Sequence, residues 1–144
     1  MSDNFITVEF QVNGQKFSVD NVHSVFWQVH RPQAQNGCLG MRGHEIGVIS
    51  FTRSKSLQVE GVAKLEDDTI KLAAATEQKA YFDGQVTIAR ADDSTNILQT
   101  IRWKGGHICE LSNQFSGGDF VERFEVSVRD LEVNDSTFRR NVTN

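Results

Sequence analysis

Four histidines, two cysteines, two tryptophans and two pairs of adjacent aspartates are the residues of this 144-residue chain that could do chemistry. The histidines are His23, His30, His44 and His107. His44-Glu45 could supply a base or a metal ligand. There is no His-x-His, no His-Glu-x-x-His and no carboxylate at a matched offset, so a hydrogen-bonded or solvent-facing histidine is the better reading. Cys38 and Cys109 are isolated thiols without a Cys-x-x-Cys, which implies neither a metal knuckle nor a disulfide framework. The run Gly37-Cys38-Leu39-Gly40-Met41-Arg42-Gly43 is glycine-rich but is not Gly-x-Gly-x-x-Gly and opens no helix, so it lacks the helix N-terminus that cradles phosphate. No Gly-x-Ser-x-Gly elbow surrounds any serine. Trp27 and Trp103 could stack on a sugar or a base, although tryptophans inside strands are more often core. Asp67-Asp68 and Asp92-Asp93 fall where a helix cap and a turn require aspartate anyway. No catalytic set, metal site or cofactor is assigned, and the chain reads as a non-enzyme.

The elements that would position these residues follow from composition and periodicity. The length fits one domain, and at this size folding hides roughly 70% of the open chain's surface, so no staple is required. The hydrophobic fraction is 38%, with ten Phe to fill a core, and the remainder is made up by amide and hydroxyl residues more than by blocks of charge. Net charge is −4 with Lys and Arg scattered, which argues against nucleic acid as a partner. The N-terminus has no basic and apolar leader, and no apolar run approaches the roughly 18 residues of a membrane span. We therefore expect cytoplasmic synthesis without a signal peptide and no membrane insertion.

Two-residue alternation dominates the chain. Phe5 to Val12 sets Ile6, Val8, Phe10 and Val12 on one face, and Asn13-Gly14 then signals a hairpin. Lys16 to Val22 and His23 to His30 are the next strands. Arg31 to Gly43, which holds the only proline, is a loop long enough to suggest function. Ile46 to Thr52 is a strand and Leu57 to Leu65 a weaker one. Asp67 to Ala80 carries the helix signal, rich in alanine, with Ile70, Ala73, Ala74 and Glu77 expected on one face. Asp83-Gly84 is read as the end of that segment. Gln85 to Arg90, Ile97 to Trp103 and His107 to Phe115 follow, separated by turns at Asp92 to Thr95 and at Gly105-Gly106. After Gly117-Gly118, Phe120 to Val133 is the longest strand, with Phe120, Glu122, Phe124, Val126 and Val128 sharing a face. Eight or nine short strands suggest a β-barrel or sandwich over residues 1–133, and 134–144 is expected to be a flexible polar tail.

The run Asp68-Thr69-Ile70-Lys71-Leu72-Ala73-Ala74-Ala75, then Gly84-Gln85-Val86-Thr87-Ile88-Ala89-Arg90, resembles the helix and following strand of the haemolysin-coregulated protein (Hcp) family. These are tube proteins of type VI secretion and related contractile injection systems. Leu98 to Ile108 resembles the family's next strand pair, and Phe120-Val121-Glu122-Arg123-Phe124-Glu125-Val126-Ser127-Val128 its closing strand. The hairpin over Asn13-Gly14, the loop opening at Arg31-Pro32 and the strand opening Arg42-Gly43-His44-Glu45-Ile46 look most like the shorter tube proteins. The chain departs from the family pattern in lacking a Ser-Pro start to the helix and in the glycine- and amide-rich loop.

The resemblance implies a mainly β fold, a small antiparallel β-barrel flanked by one short α-helix. It also implies hexameric rings that stack head-to-tail into a hollow tube, with sheath, baseplate and spike proteins as partners and effector cargo in the lumen. Export would then proceed through the injection system to the extracellular space or a target cell. Ring stacking would engage the loop, with Arg31, Pro32, Gln33, Asn36, Gly37, Leu39, Gly40, Met41 and Arg42 as its candidate residues. The alternative is a monomeric β-barrel that binds carbohydrate through Trp27 or Trp103. A metal enzyme on a cupin-like barrel is the poorest option, because the His-x-His is missing.

Overall fold

The computed structural model describes residues 5–12, 15–19, 21–29, 45–56, 68–76 and 81–139. They form nine strands: β1 (Phe5–Val12), β2 (Gln15–Val19), β3 (Val22–Val29), β4 (Gly47–Ser56), β5 (Phe82–Arg90), β6 (Asp93–Ser116), β7 (Asp119–Val128), β8 (Asp130–Val133) and β9 (Ser136–Arg139). The helix α1 (Asp68–Thr76) lies between β4 and β5. Every pairing is antiparallel. The path of neighbouring strands is β2-β1-β5-β6-β7-β4-β3, with β8 beside β6 and β9 beside β8. The expected class is present: mostly strand, antiparallel, with one short helix. The sheet does not close into a complete barrel, since among the described residues the path begins at β2 and ends at β3 without pairing the two. Asn21, with φ 61°, stands directly before β3, which pairs with β4.

One long strand makes the corner that folds this sheet over itself. The first half of β6 lies between β5 and β8, and its second half pairs with β7. The bend falls at Gly105, with φ 64°, opposite Arg129, the single residue between β7 and β8. A Cβ on Gly105 would lie 2.9 Å from Cδ of Arg129. Gly105-Gly106 is therefore a corner inside one strand, not the turn between two that the sequence suggests. The same corner divides the expected strand Phe120 to Val133 in two. Asp83-Gly84 likewise lies within β5. Its glycine is demanded by packing: Phe10, Gly84, Trp103 and Leu131 sit side by side across β1, β5, β6 and β8, and a Cβ on Gly84 would fall 2.1 Å from the Trp103 ring.

The aromatic centre joins the two halves. Phe10 meets Phe82 at 5.1 Å, Trp103 at 5.6 Å, Phe124 at 6.0 Å and Phe51 at 6.3 Å, all edge-on, and Phe51 stacks on Phe124 at 4.9 Å. Edge-to-face pairs of this kind add about 0.5–1.5 kcal/mol each beyond burial. The alternations in β1, β4 and β7 place Val8, Phe10, Ile49, Phe51, Phe124 and Val126 in this core, as their period requires.

The helix meets the sheet on a face one residue away from the expected one. Thr69, Leu72 and Ala73 turn inward, and Ile70 is left exposed. A polar group selects this face. The Thr69 hydroxyl lies 2.8 Å from both carboxylate oxygens of Glu122, and Arg53 donates from Nε to the same carboxylate at 2.7 Å. Glu122 is 0% exposed. A carboxylate so deeply buried requires such donors.

The expected tail is corrected over its first part. Residues Asn134 and Asp135 form a turn, β9 pairs with β8, and Phe138 packs 6.3 Å from Trp27. Asn134 tolerates φ 55° and locks onto Thr100, giving its backbone N–H to the Thr100 carbonyl and accepting the Thr100 N–H on Oδ1. The weaker strand expected at Leu57 to Leu65, the Asn13-Gly14 turn and residues 140–144 lie outside the described residues.

Candidate assembly surface

The candidate stacking residues Arg31, Pro32, Gln33, Asn36, Gly37, Leu39, Gly40, Met41 and Arg42 lie outside the described residues, as do His30 and His44. The chain re-enters at Glu45 and Ile46, where the Ile46 N–H donates to the Val128 carbonyl at 2.8 Å. Glu45 is buried and its Oε2 lies 3.8 Å from Nδ1 of His107, which is itself only 3% exposed. The His107 ring meets Tyr81 edge-on, and the Arg129 guanidinium lies 4.1 Å over the Tyr81 ring and donates to its hydroxyl at 2.8 Å. The sequence flagged Glu45 beside His44 but gave no sign that it meets His107. Among the described residues no three of His, Cys, Asp and Glu converge. Cys109 is disulfide-bonded, which the isolated cysteines did not suggest. Asp92 lies in the β5–β6 turn and Asp93 opens β6: Arg90 grips Asp92 through two hydrogen bonds, and Asp93 accepts from the side chain and backbone of Thr95. Those Thr95 donors hold the exposed Asp93 carboxyl below its ordinary range.

Both tryptophans have inward roles. Trp103 is enclosed at 2% exposure, and Trp27 is half-buried with its Nε1 donating to Gln99 at 3.2 Å. Trp103 therefore presents no open ring face of the kind a sugar platform needs.

What the fold does present is a broad polar wall with open ends. Ser18, Glu9, Gln85, Arg102, Glu132 and Thr137 stand in one row across β2, β1, β5, β6, β8 and β9. Arg102 ties the row together, donating to Gln85 at 3.0 Å and to Glu132 at 3.5 Å. The outer edges of β2 and β3 are free of strand partners among the described residues. Phe26, Ile97, Leu98, Phe115 and Ile70 are large apolar side chains left exposed. Open edges and scattered exposed apolar groups suit a subunit that gains neighbours, because an uncovered edge is a template for further pairing.

No protein-family model and no curated protein matches the chain. Solved structures do. Hcp1 from Flavobacterium johnsoniae superposes with a TM-score of 0.59 at 15% identity, over 93% of this chain and 99% of that one. The fold is that of Hcp. Hcp1 from Salmonella typhimurium gives 0.58 at 11% identity, over 96% and 92% of the two chains. A chain of the anti-feeding prophage baseplate, determined with six-fold symmetry imposed, gives 0.52 at 12% identity over 90% and 92%. Coverage is at least 90% of both chains in each case.

Proposed function

We propose that this protein is a tube subunit of a type VI secretion or related contractile injection system, forming hexameric rings that stack into a hollow conduit for effectors. The observation that carries the reading is the end-to-end likeness to Hcp1 structures, with 99% of the Flavobacterium johnsoniae chain covered. The six-fold baseplate neighbour supports the ring number. A sheet that stops short of closing, with a wetted outer row, supports a subunit completed by copies of itself. On this reading 1–139 is one structural domain, the partners are further copies, sheath, baseplate, spike and cargo, and the protein leaves the cell through the system it builds. It acts as a conduit and performs no catalysis. Sedimentation velocity over a range of concentration and salt tests it: hexamers and larger species are expected, and a monomer throughout would contradict it.

The Arg31–Arg42 segment is the proposed stacking element. Its length and glycines suit a reach to the next ring, and Glu45, buried against His107, anchors its C-terminal root. Deleting Gln33 to Leu39 is expected to leave the far-ultraviolet spectrum and ring formation intact while stopping tube growth. Tubes of ordinary length from that variant would exclude the role.

A further inference from the structure

The two ends of the β6 strand's first half carry opposite features. At one end, the β5–β6 hairpin runs beyond the point where β8 stops beside Ile101, and residues 91–98 are all exposed. It bears Asp92 and Asp93 at its tip, Ile97 and Leu98 on its stem, and the β8–β9 turn adds Asp135. Arg90 is the one described cation there, and it is committed to Asp92. At the other end is a surface cleft of about 120 Å³. Arg102, Lys104 and Arg139 line it together with Asp130, Glu132 and Thr137. Lys104 and Arg139 flank Asp130 in register yet make no ion pair with it. Asp93 and Lys104 are thus separated by one run of strand, roughly 35 Å at the usual rise of about 3.3 Å per residue.

We infer that the acidic hairpin tip of one copy seats in the basic cleft of the next copy along the β6 direction, a second stacking contact apart from the Arg31–Arg42 segment. The occupant is this chain itself, because the tip presents surplus carboxylate, the cleft surplus cation, and the two lie at opposite ends of the same strands. A projection and a recess on different parts of one molecule make a heterologous contact, which repeats without closing and gives a filament a direction. Asp93, with its charge held by Thr95, carries carboxylate into mildly acidic solution. Ile97 and Leu98 bury apolar surface behind the charges, so the contact combines steering with desolvation.

This contact rests on the tube reading, and the experiment separates the two. Tip reversal (Asp93→Lys with Asp135→Lys) and cleft reversal (Lys104→Glu with Arg139→Glu) are compared with the wild type and with all four changes together, by negative-stain measurement of stack length. Each reversal alone is expected to shorten stacks about five-fold or more while rings persist, and the combined protein to recover, as like charges opposed across an interface repel and restored complementarity relieves them. Circular dichroism checks the fold, and Asp93→Asn with Asp135→Asn replaces any reversal that unfolds. Rings that stack equally well in every variant, or a combined protein no better than the single reversals, overturn the contact and leave the tube reading standing. Absence of rings in the wild type overturns both.

Discussion

Glu122 shows what a single residue contributes here. Alternation along Phe120 to Val128 put it on the core face, and it is there, fully buried. Its partners were not legible, because Arg53 and Thr69 lie 69 and 53 residues away in sequence. The carboxylate holds two elements, β4 and α1, to β7. Removing it takes the carboxylate from a buried guanidinium and the acceptor from Thr69, so Glu122→Ala is expected to lower unfolding stability by about 3–5 kcal/mol in urea titration. Thr69→Val removes one hydroxyl donor and is expected to cost about 1–2 kcal/mol. The pair Arg53→Met with Glu122→Leu should lie closer to the wild type than Glu122→Ala does, since it removes both charges at once. Equal loss in the pair and the single variant would mean that the charges contribute attraction beyond mutual compensation. The same distance problem hid the Glu45–His107 contact, although both residue types were noted.

At the scale of elements, strand existence and facing were mostly legible, since Val8, Phe10, Ile49, Phe51, Phe124 and Val126 alternate with polar neighbours. The junctions were not. Glycine signals a turn and a close approach with the same letter, and Gly84, Gly105 and Gly106 all belong to strands. Gly84 and Gly106 make room for the Trp103 ring, with would-be Cβ contacts of 2.1 and 2.6 Å. Gly84→Ala is therefore expected to destabilise by about 1–3 kcal/mol through overpacking, measured as a lowered urea midpoint. Combining it with Trp103→Phe tests the cause: the two effects should be strongly non-additive because the residues touch. The helix was legible in position but not in facing, since Ile70 is the stronger apolar signal and Thr69 has the buried acceptor. The C-terminal polar stretch was misread because β9 is short and its apolar residue, Phe138, packs on Trp27 of a distant strand.

At the scale of the whole molecule, the sequence carried the layout of strands, one helix and more strands, and that layout led to the Hcp resemblance. The three solved structures compared above share the fold at 11–15% identity. Closure of the barrel was not legible, because which strands meet edge to edge is decided by long-range pairing and not by the alternation within any one strand. An open sheet with a polar wall is the form expected of a subunit whose neighbours finish it.

The most direct test is negative-stain electron microscopy of the purified protein with class averages taken down the particle axis. The account predicts rings with six-fold symmetry around a central hole, and side views of stacked rings with one polarity. A field of small, featureless monomers at every concentration and salt would contradict it.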